Sequence, residues 1–196
     1  MLRILHRVNS KKELLNTPRE FGVEIDIRSN KENLYLHHDP FMNGEDLKGW
    51  LEGYNHSGLI LNVKEEGLEL KLIDLMKKHK IDNYFFLDQS FPFLIQTSNS
   101  GESRCAVRIS EYEHIETVMS LSGKVEWVWG DCFNHFPLTQ DDALRLQIEG
   151  GFKLCFVSPE LQGRGSLDDI KNYRRSIESI GIKGDAVCTK HPDLWQ

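Results

Sequence analysis

Residues 59–88 read LILNVKEEGLELKLIDLMKKHKIDNYFFLD, and they set the fold class. The stretch opens on one apolar run, Leu59–Val63, and closes on another, Tyr84–Asp88. Short apolar runs of this kind read as strands buried on both faces. Between them, Gly67–His79 places Leu68, Leu72, Leu75 and Met76 on one face of a helix and lysines on the other. Strand, helix and strand in succession imply parallel pairing through a right-handed crossover.

The same alternation extends both ways. Upstream, the strand candidates are Leu2–His6 and Val23–Arg28; downstream, they are Cys105–Val107, Val125–Trp129, Lys153–Val157 and Ala186–Thr189. Phe93–Thr97, Glu113–Leu121, Gln140–Glu149 and Leu167–Ile180 read as helices, and Ser10–Asn16 is a short segment between the first two strands. Thr139, before Asp141 and Asp142, and Ser166, before Asp168 and Asp169, have the chemistry of N-caps. Gly150, Gly151 and Gly181 stand where helices should stop. Eight strand–helix units imply a closed barrel rather than an open sheet. The expected fold is α/β, a compact (β/α)8 TIM barrel, in a single domain over residues 1–196. At 196 residues the chain is short for a fold that typically takes about 250, so its helices must be shortened.

Composition narrows the function classes. Hydrophobic residues make up 39% and charged residues 28%, which excludes a disordered chain. The net charge of −6 argues against sequence-independent nucleic-acid binding, which needs a basic footprint. The expected partner is a small molecule. No apolar stretch approaches a membrane span. The opening MLRILHRVNS lacks the apolar core and small-residue cleavage site of a leader, so a cytoplasmic location is expected. Cys105, Cys132, Cys155 and Cys188 have no short pairing and lie in or just after apolar runs, as buried reduced thiols do.

In a parallel barrel the reactive groups belong at the carboxyl ends of the strands. The first strand ends in His6 and Arg7. The second carries Glu24 and Asp26 on one face and Val23, Ile25 and Ile27 on the other. Two carboxylates facing inward are costly unless a cation compensates them. Hard oxygen ligands suit Mg2+ or Ca2+. The short run Leu34–Leu36 then delivers His37, His38 and Asp39. Cleaving a phosphodiester needs charge neutralisation at the phosphoryl oxygens, a base for the nucleophile and an acid for the leaving oxygen. A divalent cation and Arg7 could supply the first, and two histidines the others. Lys64 and Arg108 would add positive charge at the strand ends, and Asp88 ends the fourth strand.

His6-Arg7 followed by GVEIDIRSNKENLYLHHDP over residues 22–40 resembles the opening signature of the glycerophosphodiester phosphodiesterases, within the phospholipase-C-like phosphodiesterase superfamily. GIKGDAVCTKHPDLW, residues 181–195, resembles that family's last strand and the segment after it. The resemblance implies a metal-dependent hydrolase acting on a small glycerol- or sugar-linked phosphodiester. His6 and His38 would be the acid–base pair, Arg7 would contact the phosphate, and Glu24 and Asp26 would ligate Mg2+ or Ca2+. The family places a third acidic ligand on strand three in a Glu-x-Lys pattern. With Lys64 as that lysine, the ligand position here is Asn62, whose amide oxygen can ligate without charge. Glu65 and Glu66 follow just past the strand, and Val8 stands where the family carries a glycine after His-Arg.

Two other function classes use subsets of these residues. One is a catalytically silent barrel that binds a phosphorylated ligand or a partner, in keeping with Asn62; it would bind ligand without turnover. The other is a Schiff-base lyase with Lys64 as nucleophile, which borohydride trapping would reveal.

Overall fold

Each apolar run identified above becomes a strand, and most are buried on both faces. The computed structural model describes residues Met1–Gln196. The chain is mixed α/β and packs as two units, residues 4–101 and residues 102–196 together with 1–3.

In the first unit, strand β1 (Leu2–Leu5) contributes Ile4 and Leu5, which pair in parallel with Gly22 and Val23 of β2 (Gly22–Asn30). Helix α1 (Lys11–Asn16) joins them, started by a capping box of Ser10 and Glu13. Strand β5 (Leu59–Val63) runs parallel to β2 on its other side, and β6 (Tyr84–Leu87) runs parallel to β5. Helix α3 (Glu69–His79) buries Leu72, Ile73, Leu75 and Met76, and stops at Lys80 in the left-handed region, φ 56°. Helix α4 (Phe91–Asn99) follows β6.

Two strands were not anticipated. From Ile27 onward, β2 pairs antiparallel with β3 (Asn33–Leu36), which pairs antiparallel with β4 (Glu45–Asp46). The hairpin turns through Lys31 at φ 57°, a conformation that lysine seldom adopts. Asp46 then caps the short α2 (Leu47–Leu51).

The second unit holds β7 (Ala106–Ile109), β8 (Trp127–Gly130), β9 (Lys153–Val157) and β10 (Ala186–Thr189), each parallel to the next. The Leu2 N–H donates to the Asp185 carbonyl at the start of β10. Between strands lie α5 (Ile115–Met119), α6 (Gln140–Leu144) and α7 (Leu167–Ile180). The expected helix over Gln140–Glu149 is cut short. After Leu144 it widens into a π turn, Arg145–Glu149, in which the Gly150 N–H reaches the Arg145 carbonyl. Strands β7 and β8 also start one and two residues later than the apolar runs suggested.

Thr139 and Ser166 are N-caps, each in a capping box, with Asp142 and Asp169. Replacing Ser166 with alanine should cost about 1 kcal/mol, read as a shifted urea midpoint at unchanged slope. All four cysteines are buried and unbridged. No helix is long and apolar enough to cross a membrane.

Candidate functional site

Strand register assembles the site within the first unit. Leu5 lies beside Val23, so the residues after β1 arrive level with Glu24. The Arg7 N–H donates to Glu24 Oε2 at 2.7 Å, and the Val8 N–H donates to the Glu24 carbonyl at 2.8 Å. His6 Nε2 stands 3.8 Å from Glu24 Oε2. Asp26 and Asn62 are direct partners across the β2–β5 ladder, and Asn62 Nδ2 donates to Glu24 Oε1 at 2.8 Å. Lys64 leaves the end of β5 with its Nζ 3.3 Å from Asp26 Oδ1 and 3.3 Å from Asp88 Oδ2. Arg7 Nε is 3.7 Å from Asp26 Oδ2. Six of the predicted residues, His6, Arg7, Glu24, Asp26, Asn62 and Lys64, thus form one connected cluster.

His38 joins it indirectly. The His37 N–H donates to the Asp26 carbonyl at 3.0 Å, which seats this loop on β2. The Arg28 guanidinium donates twice to the His38 carbonyl, at 3.2 and 2.8 Å. His38 Nδ1 meets Asp39 Oδ1 at 2.8 Å. That contact is the main reason the Asp39 carboxyl lies below its ordinary range, and the Arg7 charge lowers it further. With the proton on Nδ1, His38 presents Nε2 as its acceptor. A cleft of about 580 Å3 adjoins this loop, lined by Arg28, Tyr35, Pro40, Phe41, Asp46 and Glu65 among others.

Arg108 belongs to the second unit, where it pairs with Asp131 at 3.7 Å and Glu113 at 4.0 Å. Val8 is buried and has an ordinary φ, and it is Arg7 that adopts φ 57°.

Glu24 and Asp26 are both 0% exposed. Burial first, then the neighbouring Asp26 charge, pushes the Glu24 carboxyl up to about 8, against the bonds from Asn62 and the Arg7 N–H and the Lys64 charge. Asp26 Oδ1 and Asn62 Oδ1 are buried and accept no hydrogen bond. The Lys64 contact with Asp26 Oδ1 is a pairing of charge without hydrogen-bond geometry. Two bare buried oxygens beside a carboxyl that resists ionisation are what a hard cation relieves, so the donor set fits Mg2+ or Ca2+. The set is two carboxylates and an amide: no group of three or more His, Cys, Asp or Glu side chains could hold a metal ion.

Asn9 belongs to the site and was not anticipated. Its Nδ2 donates to Asp26 Oδ2 at 2.8 Å, and its Oδ1 accepts from the Asp26 N–H at 2.9 Å. This two-bond clamp fixes the carboxylate against its own backbone. Asn9 follows a strand by four residues in an irregular stretch, and no local pattern marks it.

Solved structures supply the comparison. A glycerophosphodiester phosphodiesterase from Agrobacterium tumefaciens str. C58 matches with a TM-score of 0.66 over 99% of this chain and 98% of its own, at 14% identity. A glycerophosphoryl diester phosphodiesterase from Parabacteroides distasonis ATCC 8503 matches with a TM-score of 0.65 over 98% and 84%, at 12% identity. The chain shares the glycerophosphodiester phosphodiesterase fold. No protein-family model and no curated protein sequence matches it. At such identity the likeness is one of fold.

Proposed function

We propose that the chain is a metal-dependent phosphodiester hydrolase acting on a small glycerol- or sugar-linked phosphodiester. The reading takes residues 1–196 as one (β/α)8 barrel of the glycerophosphodiester phosphodiesterase kind. The observation that carries it is the pair of fully buried carboxylates, Glu24 and Asp26, with His6 and Arg7 directly against them.

Glu24, Asp26 and the Asn62 amide oxygen would hold Mg2+ or Ca2+. A bound cation would draw negative charge from the phosphoryl oxygens and position the ester. Arg7, whose side chain is 42% exposed, reaches from Asp26 toward solvent and supplies a guanidinium for the same oxygens. Lys64, beside Asp26, adds a further cation for the substrate. One imidazole takes a proton from the attacking water as its oxygen bonds to phosphorus. The other protonates the leaving alcohol's oxygen as its bond to phosphorus breaks. His6 and His38 are that pair, and Asp39 holds His38 in one tautomer. The cleft that begins at Pro40, two residues past His38, has room for the alcohol portion.

Hydrolysis of bis(p-nitrophenyl) phosphate or a glycerophosphodiester should disappear in EDTA and return with Mg2+ or Ca2+. Undiminished turnover after exhaustive chelation would remove the metal from the reading. Asn62→Glu should tighten metal binding several-fold by adding a third charge. A silent, ligand-binding barrel is the second reading, favoured by the amide at position 62. Binding of glycerol 3-phosphate with no turnover under any metal, and none restored in Asn62→Glu, would select it.

A further inference from the structure

Lys64 is held between two carboxylates, and the two contacts differ in kind. Its ammonium lies 3.3 Å from both Asp26 Oδ1 and Asp88 Oδ2. The contact with Asp88 meets hydrogen-bond geometry. The contact with Asp26 does not, and Asp26 Oδ1 has no other hydrogen bond. Lys64 is therefore bonded to Asp88 and only leans on Asp26. Burial runs the same way: the Asp26 side chain is 0% exposed and that of Asp88 27%. Asp88 adopts φ 59° as the chain leaves β6, a left-handed conformation that Asp tolerates better than most residues.

We propose that Asp88 is a positioning residue: it is the seat to which Lys64 withdraws when a divalent cation takes Asp26 Oδ1. The inference rests on the cation reading above. An ammonium and a divalent cation cannot share one carboxylate oxygen without strong like-charge repulsion at low local dielectric. Withdrawal toward Asp88 breaks no hydrogen bond, because the one that Lys64 makes is already with Asp88. Asp26 stays in place, since Asn9 and Arg7 hold Oδ2. Without Asp88, Asp26 is the carboxylate left within ion-pair distance of Lys64, which then competes with the cation for it.

Calorimetric titration of the full chain with Mg2+ and with Ca2+ tests this in four forms: wild type, Lys64→Met, Asp88→Asn and the double variant. Lys64→Met should bind the cation on the order of tenfold tighter, through loss of a competing charge. Asp88→Asn should weaken binding several-fold in the wild-type background and leave it unchanged in the Lys64→Met background. An equal weakening in both backgrounds would mean that Asp88 acts only as a nearby negative charge, and would overturn the proposal. So would a Lys64→Met variant no tighter than wild type. A chelated sample supplies a metal-free arm: a double-mutant cycle on urea unfolding should show coupling between Lys64 and Asp88, and zero coupling also overturns it. Absence of cation binding in all four forms, with turnover intact in EDTA, would instead bring down the cation reading and this inference with it.

Discussion

Replacing His6 or His38 with alanine should lower turnover of a glycerophosphodiester by at least about 100-fold, the lower end of what a positioned proton-transfer group contributes. Both side chains are placed for this work by neighbours that the substitution leaves intact. The His6 imidazole, 12% exposed, stands against the Glu24 carboxyl. His38 has one ring nitrogen committed to Asp39, so its other nitrogen is directed by the loop rather than by chance. Neither residue belongs to the apolar core, so the variants should melt close to wild type. Near-normal rates in both folded variants would end the acid–base assignment. Loss in only one would leave a single proton-transfer residue.

Stability of the metal-free protein should fall as pH rises from about 4.5 to about 8. Below this window Glu24 is protonated whether the chain is folded or not, and it contributes no penalty. Within it the unfolded chain releases the proton at the ordinary value of 4.5, while the folded chain keeps it up to about 8. The folded state binds more protons there, so unfolding becomes easier with each step upward. The whole difference is on the order of a few kcal/mol at pH 8, because the group is wholly buried. Glu24→Gln should be more stable than wild type at pH 8, and the gap should close near pH 4.5. Urea unfolding in EDTA at several pH values reads both, and parallel profiles for the two proteins would refute the account. Added Mg2+ should act in the opposite sense. It requires the ionised carboxylate, so its protection should grow as pH rises.

The architecture was legible where burial is uniform. The runs LILNV and YFFL are buried along their whole length, so their apolar composition alone marks them. Strand alternation likewise placed Glu24 and Asp26 on one face. The β3–β4 excursion was not legible: NLYL is short, and its turn uses Lys31 at positive φ where glycine or asparagine would have announced a hairpin. The π turn at Arg145–Glu149 keeps a helical apolar spacing and differs only in its hydrogen bonds. Within the site, the contributions of Asn9 and Asp88 arise from which strand lies beside which. The Asn62–Leu87 pairing brings Lys64 to Asp88; their place at the ends of consecutive parallel strands was legible, and the ion pair itself was not.

One hydrogen bond to Glu24 comes from the main chain at position 7, and heredity cannot easily reach it. An amide hydrogen is common to every amino acid but proline, whose ring would also forbid the local backbone angle. The codon for residue 7 can therefore drift, as far as this grip is concerned, among residues that tolerate its left-handed backbone, φ 57°. Any survey that swaps side chains there reports on the guanidinium and is blind to the anchor beneath it.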